Sequence, residues 1–260
     1  MTRALAGVDL LIGIDDTDDL HSPGTGRRAR ALLGELATAG LGTPAAATRH
    51  QLLLDDRIPY TTHNSSACLA WRSADGRPGS VLIDVIEVAG RFLERVCPEA
   101  ADPGLAVVIP SHLERSVPLL ADFGRQAKSE VLQPSQAWQL ADAVGMHLSG
   151  HGGTQGGVVG ALAAVGLHLS GNDGLFITLP GLEKLPLEVT IDQLYALVPI
   201  DEACDEHHLR PESGEIIELG NWVHPVLTDR CAVLLLEPPR RGPNGDRVWR
   251  TAPRAIVRQR

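Results

Sequence analysis

The apolar run Val8-Asp9-Leu10-Leu11-Ile12-Gly13-Ile14 ends in Asp15-Asp16-Thr17-Asp18-Asp19, and a glycine turn, His21-Ser22-Pro23-Gly24-Thr25-Gly26, follows. Short and rich in branched side chains, the run has the make-up of a buried strand. Its carboxylates are therefore expected at a strand terminus, where open α/β sheets hold their ligands. Four carboxylates within the five residues 15–19 repel one another unless something positive neutralises them. Mg²⁺ suits the arrangement, because it takes one or two carboxylates and completes its shell with water and phosphate oxygens. Asp15, Asp16 and Asp18 are the expected metal ligands. The competing reading is a solvated acidic turn in which Asp19 caps the next helix.

A second segment, Ser149-Gly150-His151-Gly152-Gly153-Thr154-Gln155-Gly156-Gly157, leads into an apolar helix from Val158 to Val165. Glycines let backbone amides approach an anion, and the start of a helix adds unpaired N–H groups and a favourable dipole. Gly152, Gly153, Thr154, Gln155, Gly156 and Gly157 are the expected phosphate cradle, with His151 hydrogen-bonding phosphate or substrate and Asp173 holding metal or ribose. The segment is neither a Walker A loop, since no Gly-Lys-Ser/Thr ends it, nor a Gly-x-Gly-x-x-Gly turn. The structural alternative is a flexible connection whose Gly160 and Gly166 only permit close helix packing. Together the two segments predict phosphoryl transfer, which asks a protein mainly for positioning and charge stabilisation. Asp16 is the candidate to take a proton from the attacking group. Arg27 or Arg28 would stabilise developing charge.

Alternating elements surround these segments. Helices are expected over Arg27–Ala39 and 80–96, after Ser111, and from Ser135 to near His147. Strands are expected over Thr48–Leu54, Ser66–Trp71, Leu105–Ile109 and Cys231–Glu237, with an exposed loop over 238–245. Thr190-Ile191-Asp192-Gln193 reads as a capping box that starts a short helix. The pattern predicts an α/β chain, with α+β as the alternative: a mixed sheet with flanking helices. Residues 1–180 would form the nucleotide and metal core, and 181–260 its continuation or a small C-terminal lobe.

Composition narrows the function classes. A net charge of −9, two lysines and 3% aromatic residues do not suit a self-sufficient nucleic-acid binder. The basic concentration is late: Arg240, Arg241, Arg247, Arg250, Arg254, Arg258 and Arg260. Cys68, Cys97, Cys204 and Cys231 form no Cys-x-x-Cys pair, so reduced, mostly buried thiols are expected rather than a structural zinc site. His207-His208 beside Asp205 and Glu206 reads as a solvated charged loop. No apolar run approaches the ~20 residues that span a bilayer, and the first residues are too short for a secretory segment, so a cytoplasmic location is expected.

The motif Gly13-Ile14-Asp15-Asp16-Thr17-Asp18 resembles the opening of the archaeal isoleucine-tRNA agmatidine synthetase family, TiaS, in its N-terminal kinase-like domain. Gly157-Val158-Val159-Gly160-Ala161-Leu162-Ala163-Ala164-Val165-Gly166 followed by Asp173 is similar to a second family block. Arg57-Ile58-Pro59-Tyr60-Thr61-Thr62-His63-Asn64 occupies the place of a third, and Trp222-Val223-His224-Pro225-Val226-Leu227 resembles the close of the region. The resemblance implies ATP as donor, Mg²⁺ as cofactor and an acceptor oxygen, which in the family belongs to a cytosine ring. It implies Thr25 as a shifted substitute for the family's phosphate-accepting threonine. The departures are specific: the third block's lysine and arginine are Thr61 and His63, and no OB-fold or zinc-ribbon region accompanies the motifs. The expected function is therefore an ATP- and Mg²⁺-dependent kinase- or synthetase-like enzyme. Its acceptor would be a small molecule rather than free tRNA, or an RNA base brought by a partner, and a homodimer is compatible. A non-catalytic nucleotide-binding or scaffold subunit is the rival reading. A haloacid-dehalogenase-like phosphatase fits less well, because Asp19 stands where that motif carries Thr or Val.

Overall fold

A computed structural model describes residues 3–19, 21–58, 63–242 and 245–257. Two units divide the chain: residues 7–170, and residues 171–260 together with the first six. The division falls at Ser170/Gly171, ahead of the 180/181 position expected from sequence.

In the first unit, β1 (Leu10–Asp15) leads to α1 (Thr25–Thr38), β2 (Gly42–Gln51), β3 (Ser65–Ser73), α2 (Pro78–Val96) and β4 (Gly104–Val108). Next come α3 (Val117–Gln126), α4 (Pro134–Val144), β5 (His147–Gly150) and α5 (Val158–Ser170). The strands lie in the order β5-β4-β1-β3-β2, and every neighbouring pair is antiparallel. Leu10, Leu11, Ile12 and Ile14 of β1 are all buried, so side chains on both of its faces are covered. The α1 stripe Ala29, Leu32, Leu33 and Leu36 and the α2 stripe Val85, Ala89, Phe92 and Leu93 supply part of that cover. Helix α5 is buried almost all round, which its small residues allow. A Cβ on Gly13 of β1 would stand 2.1 Å from the Ala161 carbonyl oxygen, and one on Gly166 would stand 2.0 Å from that of Leu120 in α3.

The second unit runs through β6 (Leu175–Thr178), β7 (Glu188–Thr190), α6 (Ile191–Leu197), β8 (Glu202–Cys204) and β9 (Ile216–Glu218). It closes with β10 (Val226–Thr228), β11 (Cys231–Arg241), β12 (Arg247–Thr251) and α7 (Arg254–Val257). Its strands follow the order β6-β10-β11-β12-β9-β7, with β8 beside β11. The β8–β11 and β12–β9 pairs are parallel, so the chain has the mixed pairing and flanking helices expected of its class. Fully buried Trp249 anchors this core. The capping box forms as expected: Thr190 accepts the Gln193 N–H, and the Gln193 side chain accepts that of Thr190.

Several elements differ from the sequence reading. Ser111 lies in a single 3₁₀ turn, and the helix begins only at Val117. The helix from Pro134 ends at Val144, and His147, expected near its end, instead opens the edge strand His147–Gly150. β2 begins at Gly42, so Leu52–Leu54 fall outside it. β11 continues to Arg241 through a register shift against β12, taking in residues expected to be loop. No described helix is long and apolar enough to cross a membrane.

Candidate functional site

β1 carries the acidic motif to the edge of a cleft of about 400 Å³ within the first unit, lined among others by Asp15, Asp16, Asp18, Thr25 and Asp102. The backbone leaves the strand through Asp16 at φ +50°, a left-handed turn that aspartate tolerates better than most residues. The Asp15 carboxyl presses on α5, where a Cβ on Gly160 would stand 1.8 Å from Oδ2. Burial, reinforced by the neighbouring Asp16 charge, pushes Asp15 up to about 8. Burial likewise raises Asp16 to about 6, against the lowering effect of the Asp102 N–H, which it accepts at 3.3 Å. Asp18 is held from α1: the Thr25 hydroxyl donates to its Oδ1 at 3.1 Å, and the buried Thr17 hydroxyl donates to Thr25 at 3.3 Å.

Asp19 does not join them. It accepts the His21 N–H at 2.9 Å, which together with Ser22 holds its carboxyl below the usual range, while its own N–H donates to the Ser22 hydroxyl at 2.8 Å. It therefore closes its own turn and does not cap α1, whose N-cap position is Gly24. Arg27 is exposed and is not among the residues lining the cleft. Half-buried Arg28 acts electrostatically on the Cys97 thiol, as do Asp16 and Asp18, and its Nε has no hydrogen-bond partner among the described residues.

Asp102, which sequence reasoning missed, organises the glycine segment. Its carboxylate accepts the Thr154 N–H at 2.8 Å and also the Thr154 hydroxyl. Its carbonyl accepts the Gly157 N–H at 3.1 Å. Two of the amides expected to cradle phosphate are thus already engaged. The glycines also serve packing: a Cβ on Gly157 would meet the Asp102 carbonyl oxygen at 2.3 Å, and one on Gly152 the Asp102 Cα at 2.5 Å. The left-handed residue of the loop is Gln155, at φ +60°, rather than any of its glycines. Thr154, Gly156 and Gly157 line the cleft; Gly152, Gly153 and Gln155 do not.

His151 points elsewhere. Its Nδ1 meets Glu94 of α2 at 3.0 Å and its Nε2 meets Ser149 at 2.9 Å, with His147 Nε2 3.0 Å beyond that hydroxyl. Asp173 belongs to the second unit and is buried there. Arg57, Ile58, His63 and Asn64 of the third block line the cleft. Thr61, like residues 59, 60 and 62, lies outside the described residues. The nearest signal for Asp102 is its place two residues before the apolar strand β4. Only the antiparallel pairing of Gly104 with Asp15 turns that signal into a site.

No family model matches the sequence, and no curated protein matches it. The fold is similar to solved structures of TiaS. Against a TiaS complex with tRNA and ATP the identity is 23% and the TM-score 0.50, over 61% of this chain and 36% of that one. Against a structure described as a tRNA fluorescent labeling enzyme the identity is 24% and the TM-score 0.50, over 60% and 35%. The chain thus spans about a third of the length of these structures, and at such identities the likeness is one of fold.

Proposed function

We propose that this chain binds ATP with Mg²⁺ in the cleft of its first unit and uses it to activate an oxygen of an acceptor. The observation that carries the reading is the meeting of Asp15, Asp16, Asp18 and Asp102 on one cleft, of a size usual for small-ligand sites. The donor set fits the metal: it is all oxygen, and burial already disfavours leaving Asp15 and Asp16 charged and alone. Asp15, Asp16 and Asp18 would hold Mg²⁺, which supplies charge neutralisation for a triphosphate. Asp16, raised toward neutrality, is suited to take a proton from the attacking group. Thr25 fixes Asp18 through its hydroxyl, and Gly156 lets a ligand approach the start of α5. The solved TiaS complex contains ATP, which supports ATP as the nucleotide here. A carbonyl compound, or an RNA base brought by a partner, would be the acceptor.

Calorimetric titration with MgATP tests the site. Asp16→Asn and Asp18→Asn are expected to abolish Mg²⁺-dependent binding while leaving the fold intact; unchanged affinity in both variants would sink the assignment. A second reading, a nucleotide-binding subunit without turnover, draws on one observation. The basic groups among the described lining residues are Arg57 and His63, and Arg57 is already clasped by Asp55 at 2.7 Å through Nε and Nη2. Mg²⁺-dependent ATP turnover with a supplied acceptor separates the two.

A further inference from the structure

The second unit brings together three side chains that the nucleotide reading leaves unused. Glu202 and Cys204 lie two residues apart on β8, and His208 follows in the next turn. One ligand atom from each, the carboxylate oxygen, the sulfur and an imidazole nitrogen, all lie within 4.8 Å of one another. We propose that Glu202, Cys204 and His208 form a binding site for a divalent transition metal of the zinc class, independent of the acidic cleft.

The chemistry of the set selects that class. A thiolate and an imidazole prefer zinc and its neighbours to Mg²⁺ or Ca²⁺, which take oxygen ligands. Tetrahedral zinc with bonds of ~2.0–2.3 Å puts its ligand atoms ~3.3–3.8 Å apart. The present separations, at most 4.8 Å, thus need contraction of about 1.5 Å or less, within reach of side-chain rotation. Three protein ligands leave a fourth position for water, the pattern of open rather than closed zinc sites.

The surroundings hold the three groups in place. The Asp205 carboxylate, almost wholly buried, accepts the N–H groups of His207 and Leu209 at 2.9 Å, which curls the chain back after β8. His208 sits in that curl at φ +60°, a conformation a non-glycine residue adopts at a cost. Arg210 takes Glu202 Oε1 with both Nε and Nη2, which orients the carboxylate. The Cys204 thiol, with its S–H, lies within 4.8 Å of the same carboxylate. Binding replaces that S–H bond by an S–metal bond and releases one proton to solvent, so affinity should rise with pH. The thiolate and Glu202 together balance the two charges of the ion, and Arg210 remains as the outer partner of Glu202.

Cobalt(II) titration of the full chain is the test, because a cysteine thiolate bound to cobalt gives a charge-transfer band in the near ultraviolet that oxygen ligands cannot. One equivalent should develop the band in the parent protein and in His207→Ala, whose histidine faces Glu206 instead. Cys204→Ser should lose the band, and His208→Ala should weaken cobalt binding at least tenfold. Position 208 is exposed, so that variant is expected to fold, and circular dichroism checks it. Cys97, which feels the charges of Asp16 and Asp18, is the competing thiol. The proposal is overturned by an absent band, by a band that survives Cys204→Ser, by one lost in Cys97→Ser, or by undiminished affinity in His208→Ala.

Discussion

Two helical glycines of the same unit should respond to alanine with opposite signs. Gly34 in α1 is exposed, and a Cβ there would meet nothing within 4 Å among the described residues. Gly34→Ala therefore gains only helix propensity, ~0.8–1 kcal/mol. Gly160 in α5 would gain the same propensity, but its Cβ would stand 1.8 Å from Asp15 Oδ2, 2.4 Å from Cγ and 2.9 Å from Cβ. The last of these lies next to the strand backbone, so rotating the carboxylate does not relieve the clash and α5 or β1 must shift. Overpacking of this kind costs ~1–3 kcal/mol, occasionally more. We take the upper end, which leaves Gly160→Ala about 2 kcal/mol less stable than the parent. At ~2–4 °C per kcal/mol for a domain of this size class, Tm should rise by about 3 °C for Gly34→Ala and fall by roughly 4–8 °C for Gly160→Ala. Scanning calorimetry of the full chain measures both on one transition, because both glycines belong to residues 7–170. A Gly160→Ala protein as stable as Gly34→Ala would refute the close seating of α5 on the acidic strand.

Two further predictions concern charge. His168 is buried beside His50, both bonded to the Thr48 hydroxyl at 2.8 Å, and burial lowers its pKa from 6.5 to about 3. The unfolded chain therefore takes up the proton first: stability from this group is intact above pH 6.5 and falls by ~1.4 kcal/mol per pH unit toward pH 3. Urea melts from pH 7 to 4 should show this slope reduced in His168→Gln; an unchanged slope would contradict it. The late arginines are largely committed: Arg240 and Arg250 to Glu218, Arg247 to Glu212 and Glu215, with Arg254 over the Trp222 ring. Free tRNA should accordingly bind weakly in a gel shift at ~150 mM salt, and tight binding there would count against a small acceptor.

What could be read from the sequence, and what could not, separates by range of interaction. β1 and its acidic end were legible because an apolar run and a carboxylate cluster are local signals. The capping box at Thr190 was local in the same sense. β2 was misplaced because Pro44-Ala45-Ala46-Ala47 has little strand propensity, and its pairing with β3 decides the matter. β5 is a four-residue edge strand with polar alternate positions, too weak a pattern to outweigh the preceding helix. Asp102 joins the carboxylates only through the β1–β4 register, a contact between distant segments. The glycines of 152–160 invited a phosphate reading for a sound reason, yet glycine serves backbone–backbone contact equally well. At Gly157 that backbone contact is what the geometry uses, and at Gly160 the close neighbour is the Asp15 side chain.

That outcome changes where nucleotide affinity must come from. With the Thr154 and Gly157 amides bound to Asp102, the loop offers an anion little beyond its remaining N–H groups. Arg57 is held by Asp55, while Asp15, Asp16, Asp18 and Asp102 all line the cleft. A triphosphate entering alone would meet like charge at close range in a partly dehydrated space, where Coulomb terms are several times those in water. The cation is then the main attraction rather than a supplement. ATP in excess chelator should bind at least a hundredfold more weakly than MgATP, and Asp18→Asn should lose the benefit of Mg²⁺ without weakening the metal-free complex further. A phosphate site built on amides and basic side chains would instead keep most of its affinity in chelator. Equal affinity with and without Mg²⁺, measured by calorimetry on the parent chain, would rule out the carboxylates as the nucleotide's anchor.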